Sequence, residues 1–420
     1  MRTTKKNKLV HNFFSLGAVQ VISSLIQLIV VPHVIHKIGV DGFGVVAVAH
    51  VVMLLLSGFT DYGFNQTAVK SISLYRTDAA AVSKIFWTVL FSKLVLCILA
   101  FIFLLVLILC IPLFRAHAML YLMAFTLVIG QSLFVSWLFQ GIEKMQFIAV
   151  LTLLGRTIFA ILVFVFIQRN EHSGLFLLFL GTGSFIAGLL SILMARRMLA
   201  IQYIKPSVAD IRRELIEGWR IMIANLSSYF CQYSNIIILR IFTNDLLAGY
   251  YGIAEKIFFT AKQVLAMFSQ AIYPQVCQIV LAGKERLYFF LRQIYLPFFL
   301  GIVSGSLLLF IFTPQVLSFF TGKDYHHSVY YLRMLCFVTV VICLNIPATL
   351  ILLAMDQKKK YLRVSILGML LNISANFLLV IFFEAKGTVT AILLTELFIM
   401  AGLNVGLYKI LVLPDSLKPV

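Results

Sequence analysis

The chain has 420 residues, of which 61% are apolar and only 12% charged, and its mean hydropathy is +1.01. These values lie far outside those of soluble domains and mark an integral membrane protein. The formal net charge of +18 would suit a nucleic-acid binder, but its placement along the chain assigns it to a membrane surface, with no nucleic acid as partner.

A helix needs about 20 predominantly apolar residues to cross the hydrocarbon core. Backbone groups in lipid must be paired internally, and the chain lacks the alternating segments of a barrel, so the expected spans are helices. Twelve follow in order: 12–36, 42–66, 86–110, 119–141, 147–167, 175–195, 219–243, 248–272, 294–318, 329–354, 364–383 and 387–410. The basic start resembles a secretory leader. The apolar run behind it is too long for one and shows no small-residue cleavage site before Pro32, so it is expected to remain as the first span. With the N-terminus in the cytoplasm, only Lys37, Arg115, Arg169, Lys323 and Lys386 fall on the far side, whereas the N-terminal cluster, Arg196 to Arg220 and Lys358 to Arg363 fall inside. This bias predicts that both termini are cytoplasmic. The cysteines lie in or beside spans with no CxxC pair and read as apolar packing residues.

The long polar segment RRMLAIQYIKPSVADIRRELIEGWR, 196–220, divides the chain into an N-lobe (1–195), a basic linker (196–218) and a C-lobe (219–420). Within it, Ser207 followed by Asp210 is a helix-start signal. Ile211, Leu215 and Ile216 form either an apolar strip on a short surface helix or part of a solvated linker. At an offset of 205 residues Gln20 meets Asn225, Ser23 meets Ser228 and Gln27 meets Gln232, so the first span of each lobe carries a polar stripe on one face. Polar stripes are costly toward lipid and are expected to face a cavity. Six spans per lobe make the repeat parallel, as in transporters. The fold class expected is all-α, polytopic, with about twelve transmembrane helices in two parallel six-helix lobes.

Chemistry narrows the function. The Gly-Lys pairs at Gly283 and Gly322 are followed by Glu and Asp, so no phosphate-binding GxxxxGK[ST] loop is present. His33 and His36 share a helical face but lack a third ligand, so no metal and no cofactor are expected. Outer connections are too short for an enzyme's acidic extramembrane loop. What remains are charges inside spans: Asp61, Lys93, Arg156, Arg240, Glu255, Lys256, Lys262, Arg333 and Glu396. Each costs roughly 2.5–3.5 kcal/mol at a helix centre, so such groups mark a substrate or ion path. Arg240 and Arg333 sit near span ends, where they can snorkel, and Asp61 near an inner end. Glu255 and Lys262 are seven apart and share a face, with Lys256 on the next strip. Six basic groups against three acidic ones predict an anionic substrate.

The stretches DYGFNQTAVKSIS (61–73), GYYGIAEKI (249–257) and AIYPQVCQ (271–278) resemble the Wzx-type polysaccharide flippases of the multidrug/oligosaccharidyl-lipid/polysaccharide (MOP) superfamily, and the likeness extends along essentially the whole chain. It implies a MATE-like fold and an inner-membrane transporter, not an enzyme, that moves an undecaprenyl-pyrophosphate-linked O-antigen or related repeat unit to the outer leaflet. It implies a proton or sodium gradient as the drive and polysaccharide polymerase machinery as a partner, alongside membrane lipids. Asp61 with its motif and the Glu255–Lys256 pair are the positions carried over. On this reading the lobes form a V open to the inner leaflet. Arg156, Lys262, Lys256, Lys93, Arg240 and Arg333 receive the pyrophosphate; Gln20, Ser23, Gln27, Asn225, Ser228 and Gln232 contact sugars; and Asp61, Glu255 or Glu396 couples an ion. A cation-exporting multidrug antiporter is the main rival, disfavoured by the basic excess; a membrane polymerase follows, disfavoured by the short outer loops; and a structural scaffold would need no buried charges.

Overall fold

The computed structural model describes residues 2–169, 173–281, 284–322, 326–355 and 357–412, which are helical almost throughout, with no strand among the described residues. The helices gather into two compact units, residues 1–237 and 238–420.

The first unit opens with α1 (Arg2–Asp61), in fact two helices joined at Gly39, whose φ of 78° and ψ of 168° break the run where the polar Lys37 and Asp41 separate the first two expected spans. The second span ends earlier than the expected residue 66. Tyr62 and Gly63 both take positive φ, 46° and 83°, and the chain turns into the short helix α2 (Phe64–Tyr75). Glycine is required at that turn, because a Cβ on Gly63 would lie 2.6 Å from Ile221 Cγ2. The four-residue spacing of Phe64, Ala68 and Ile72 then buries one face of α2, and Ser73 Oγ donates to the carbonyl of Gly141 at 3.3 Å.

After α3 (Ala79–Cys110) and the turn α4 (Pro112–Arg115), the expected fourth span is built from three pieces, α5 (Ala118–Ala124), α6 (Thr126–Leu133) and α7 (Ser136–Gly141). Phe134 is extended (φ −74°, ψ 112°), which takes backbone groups out of the helical ladder at membrane depth. Such a break persists only if its polar groups find partners; the N–H of Val135 donates to Ser191 Oγ on α9 at 3.2 Å. α8 (Met145–Phe166) and α9 (Ser173–Leu199) complete this set. They approach so closely that a Cβ on Gly155 would meet the carbonyl oxygen of Gly183 at 2.7 Å. Between lipid-immersed helices this backbone proximity supplies the van der Waals attraction that water would otherwise drive. Phe64, Phe86, Trp137, Phe139 and Leu151 fill the core.

The helix-start signal in the linker is used. Ser207 Oγ accepts from the N–H of Asp210 at 3.1 Å while the Asp210 carboxylate accepts from the Ser207 N–H and hydroxyl, a reciprocal cap. Lys84 Nζ lies 2.9 Å from Asp210 Oδ1, and the Lys84 and Ser207 hydrogen bonds pull the Asp210 carboxyl down to about 2. The helix that starts there, α10 (Val208–Phe242), continues unbroken into the expected seventh span. The linker's short surface helix and that span are therefore one rod. Leu215 packs on the core of the first unit, whereas Ile216 is exposed.

In the second unit α11 (Asp245–Leu281) leads to α12 (Lys284–Phe290), a π-helical turn (Leu291–Tyr295), α13 (Leu296–Ile311), α14 (Thr313–Thr321), α15 (His326–Ala354) and α16 (Lys358–Val412). α16 is again two helices, joined at Glu384 (φ 50°, ψ −134°) between the last two expected spans. α15 is the central rod, packed against α11, α13 and α16, with Leu265, Ile272, Tyr295, Cys343 and Ile346 between them.

Eight helices among the described residues are long and apolar enough to cross a membrane. Two of these, Ile29–Tyr75 and Lys359–Val405, carry the turns at Gly39 and Glu384 and so account for two passes each. The polar rods α10 and α11 add the seventh and eighth spans, and the chain is an all-α membrane protein of about twelve spans.

Candidate functional site

The intramembrane charges fall into three constellations, two in the first unit and one in the second. The first joins residues that sequence spacing could not connect. Lys93 on α3 is only 1% exposed, and its Nζ donates to Asp61 Oδ1 at the end of α1, 2.8 Å away. Asp61 Oδ2 accepts from Asn65 Nδ2 at 3.0 Å, and Asn65 Oδ1 accepts from Ser136 Oγ at 3.3 Å. The turn at Gly63 places Asn65 one helical turn after Asp61, so α1, α2 and α3 are tied through one carboxylate, and α7 joins them through the Asn65 amide oxygen. Beside this network lies a cavity of about 310 Å³ lined by Asp61, Gly63, Asn65, Gln66, Asn225, Tyr229 and Gln232. Lys93, expected as a substrate-binding cation, and Asp61, expected as an ion-coupling carboxylate, are thus paired with each other.

The second constellation is the environment of Arg156, at the middle of α8. By helical rise it lies about 16 Å from the start of that helix, too deep for its guanidinium to snorkel to either surface. It borders a cavity of about 200 Å³ lined by Gly130, Gln131, Phe134, Thr152, Gly155, Arg156, Leu180, Ser184 and Ala187. Phe134, at the break between α6 and α7, lines it, as do Leu180, Ser184 and Ala187 of α9. Arg156 Nη1 is buried and has no hydrogen-bond partner, and no carboxylate lies within ion-pair distance of the side chain among the described residues. A buried guanidinium nitrogen left without a partner is costly. The cavity around it brings Gln131 and Thr152, polar groups suited to an anion's oxygens, whereas the Ser184 hydroxyl donates to the carbonyl of Leu180 at 3.0 Å.

In the second unit α11, α15 and α16 converge on two carboxylates. Glu255 is buried and accepts from Tyr251 Oη at 3.0 Å. Asn345 Nδ2 donates to Glu396 Oε2 at 3.2 Å. Lys262, half-buried, lies within electrostatic reach of both, so the face shared by Glu255 and Lys262 along α11 is a charged seam inside this unit. Lys256 is half-buried on the neighbouring strip, with Thr260 donating to its carbonyl.

The remaining candidates are spoken for or lie apart. Arg240 is bidentate to Asp245 and also donates to the carbonyl of Thr243. Arg333 donates to the carbonyl of Phe310 and stands 5.0 Å from that ring's centre. Arg240 lies two residues before the end of α10 and Arg333 seven residues after the start of α15. His33 is engaged by the carbonyl of Ile167 at 3.2 Å and by the Phe164 ring. Of the polar stripes, Ser23 is buried, Asn225 and Gln232 line the Asp61 cavity, and the side chains of Gln20, Gln27 and Ser228 lie outside the described residues. Sequence pattern gives Asn65 and Gln66 no role beyond their place in the 61–73 motif, and it names no role for Tyr229. A signal for Tyr229 exists, since it lies between Asn225 and Gln232 on the polar stripe.

Residues 9–280 match the family described as "Polysaccharide biosynthesis protein". Over 396 residues, 94% of the chain and 95% of the relative, it is 26% identical to a protein named "Putative O-antigen transporter" from Escherichia coli (strain K12). A protein of the same name from Shigella dysenteriae is 26% identical over 390 residues, 90% of the chain and 94% of the relative. Among solved structures, the lipid II flippase MurJ in an inward closed conformation superposes with a TM-score of 0.74 at 12% identity, covering 93% of this chain and 87% of that one. An inward-facing multidrug-resistance MATE transporter of the MOP superfamily gives 0.60 at 14% identity, covering 95% and 94%.

Proposed function

The chain belongs to the polysaccharide biosynthesis protein family, and from that premise we propose that it is a flippase for lipid-linked polysaccharide units. It carries undecaprenyl-pyrophosphate-linked O-antigen or related repeat units from the inner to the outer leaflet of the cytoplasmic membrane by alternating access, with both termini in the cytoplasm. Similarity to proteins named as O-antigen transporters over nearly the full length of both partners supports the cargo class.

The reading is carried by Arg156, which borders a cavity midway along α8 with no carboxylate within ion-pair distance among the described residues, so the counter-charge is brought by the cargo. The polyprenyl tail can stay in lipid, whereas sugar and pyrophosphate cannot cross hydrocarbon unaided. Bidentate hydrogen bonds from a guanidinium suit a pyrophosphate, and its positive charge repels a cationic drug. Glu255 and Glu396, both within electrostatic reach of Lys262, are the candidates for coupling to a proton or sodium ion.

Deleting the gene tests the proposal. The expected outcome is loss of surface polysaccharide with lipid-linked units accumulating on the inner leaflet. Accumulation on the outer leaflet instead would indicate a polymerase, and intact polysaccharide with new drug sensitivity would indicate an exporter.

A further inference from the structure

The cavity beside the Asp61–Lys93 pair differs in chemistry from the surroundings of Arg156. Lys93, bonded to its Asp61, is 1% exposed, so the site offers an anion no cation among its lining residues and confronts it with a carboxylate. A cationic ligand fares no better, because that carboxylate is already matched by Lys93. What remains are amides and one aromatic ring. Asn225, Gln232, Asn65 and Gln66 present both donors and acceptors, and Asn65 keeps one amide N–H and one lone pair after its bonds to Asp61 and Ser136.

The ring is Tyr229, nearly parallel to Tyr233 with centroids 6.0 Å apart and planes 17° apart. Its position depends on Gly58 of α1, where a Cβ would lie 2.7 Å from Tyr229 Cδ2. A neutral polyol ring matches this set. Its hydroxyls donate and accept equally, as amides do, and its C–H faces are apolar enough to lie on an aromatic surface. The volume of about 310 Å³ is at the lower end for small-ligand sites, which suits one ring rather than an oligosaccharide.

We propose that the cavity lined by Asp61, Asn65, Gln66, Asn225, Tyr229 and Gln232 is the seat of a single uncharged sugar ring of the lipid-linked head group. Tyr229 is its platform and the Asp61–Lys93 pair its charge-neutral floor. The inference rests on the lipid-linked glycan reading and makes this cavity, not the Arg156 site, the place where glycan identity is sensed. It lies at the end of α1 that the charge bias assigns to the cytoplasm, where the head group enters.

The test uses the purified full chain and two probes, a short-chain polyprenyl pyrophosphate carrying one hexose and the same pyrophosphate without sugar, with binding read by native mass spectrometry. The wild type should hold the glycosylated probe about tenfold more tightly, the worth of one stacking interaction and a hydrogen bond. Tyr229→Ala, Asn65→Ala and Gly58→Ala should erase that preference while leaving the bare probe's affinity unchanged, and Tyr229→Phe should keep it. The proposal is overturned if the preference survives Tyr229→Ala and Asn65→Ala, or if both probes weaken in parallel. Equal wild-type affinity for the two probes overturns the sugar seat and leaves the flippase reading standing; failure to bind either probe overturns both.

Discussion

Arg156 and Lys93 are both basic side chains inside the first unit, yet their surroundings treat them oppositely. Lys93 is sealed in the fold with Asp61 as its partner, and Asp61 is itself held by Asn65. Arg156 has a buried, unbonded Nη1 beside a cavity whose lining includes Gly130, Gly155, Gln131 and Thr152. A paired charge ties helices together, and removing it weakens the fold. An unpaired one weakens the fold unless something else supplies the opposite charge, which is the signature of a ligand-facing group.

Arg156→Ala gives the sharpest break in that comparison. Complementation of a deletion strain should fall by about a hundredfold or more, the scale expected for removing a charge-assisted bidentate interaction at low dielectric, while the melting temperature in detergent holds or rises. Arg156→Lys should recover only part of the transport, since an ammonium cannot bind bidentately. A variant that unfolds would place Arg156 among the structural charges.

Lys93→Met should do the opposite. It strands Asp61, which is partly exposed, and should cost about 1–3 kcal/mol of stability, below the range for fully buried pairs. The double variant Lys93→Met/Asp61→Asn should regain most of that loss in a thermal-melt double-mutant cycle. Additive losses would show that the pair is not coupled.

Gly155→Ala should cost about 1–3 kcal/mol by forcing α8 away from α9, with a loss of transport because the Arg156 cavity shares that wall. Comparing melting with transport at several temperatures separates the two effects.

The smallest effect concerns acid. The folded Asp210 carboxyl lies at about 2, below its ordinary value of 3.8, so its tie to Lys84 and Ser207 is fully present above about pH 4 and is lost as pH falls toward 2. Limited proteolysis at the 200–207 connection should quicken over that window in the wild type, and Asp210→Asn should flatten the response.

Much of the fold is legible in the sequence because membrane spans are set by local composition. Polar breaks at Lys37 to Asp41 and at Glu384 to Lys386 mark the places where α1 and α16 each turn between two spans, and Ser207 with Asp210 marks the start of α10. The fold-back at Tyr62–Gly63 is not legible. Nothing in a hydropathy profile distinguishes a turn packed against the distant Ile221 from a span that continues. The same limit governs the site. The depth of Arg156 can be read from its place in an apolar run, whereas the Asp61–Lys93 bond joins residues 32 apart in sequence and exists only once α1 and α3 are packed. Tyr229 does not stand out because an aromatic on a helix is usually core; Gly58 opposite it turns the ring into a cavity wall.

The most direct measurement is leaflet transfer in proteoliposomes containing the purified chain, comparing a pyrophosphate-linked glycolipid with a matched uncharged glycolipid of the same tail and sugar. The wild type should move the pyrophosphate-linked lipid and not the uncharged one, and Arg156→Ala should move neither. Equal transfer of both lipids, or wild-type transfer by the Arg156→Ala protein, would contradict the assignment of an anionic cargo to the unpaired guanidinium.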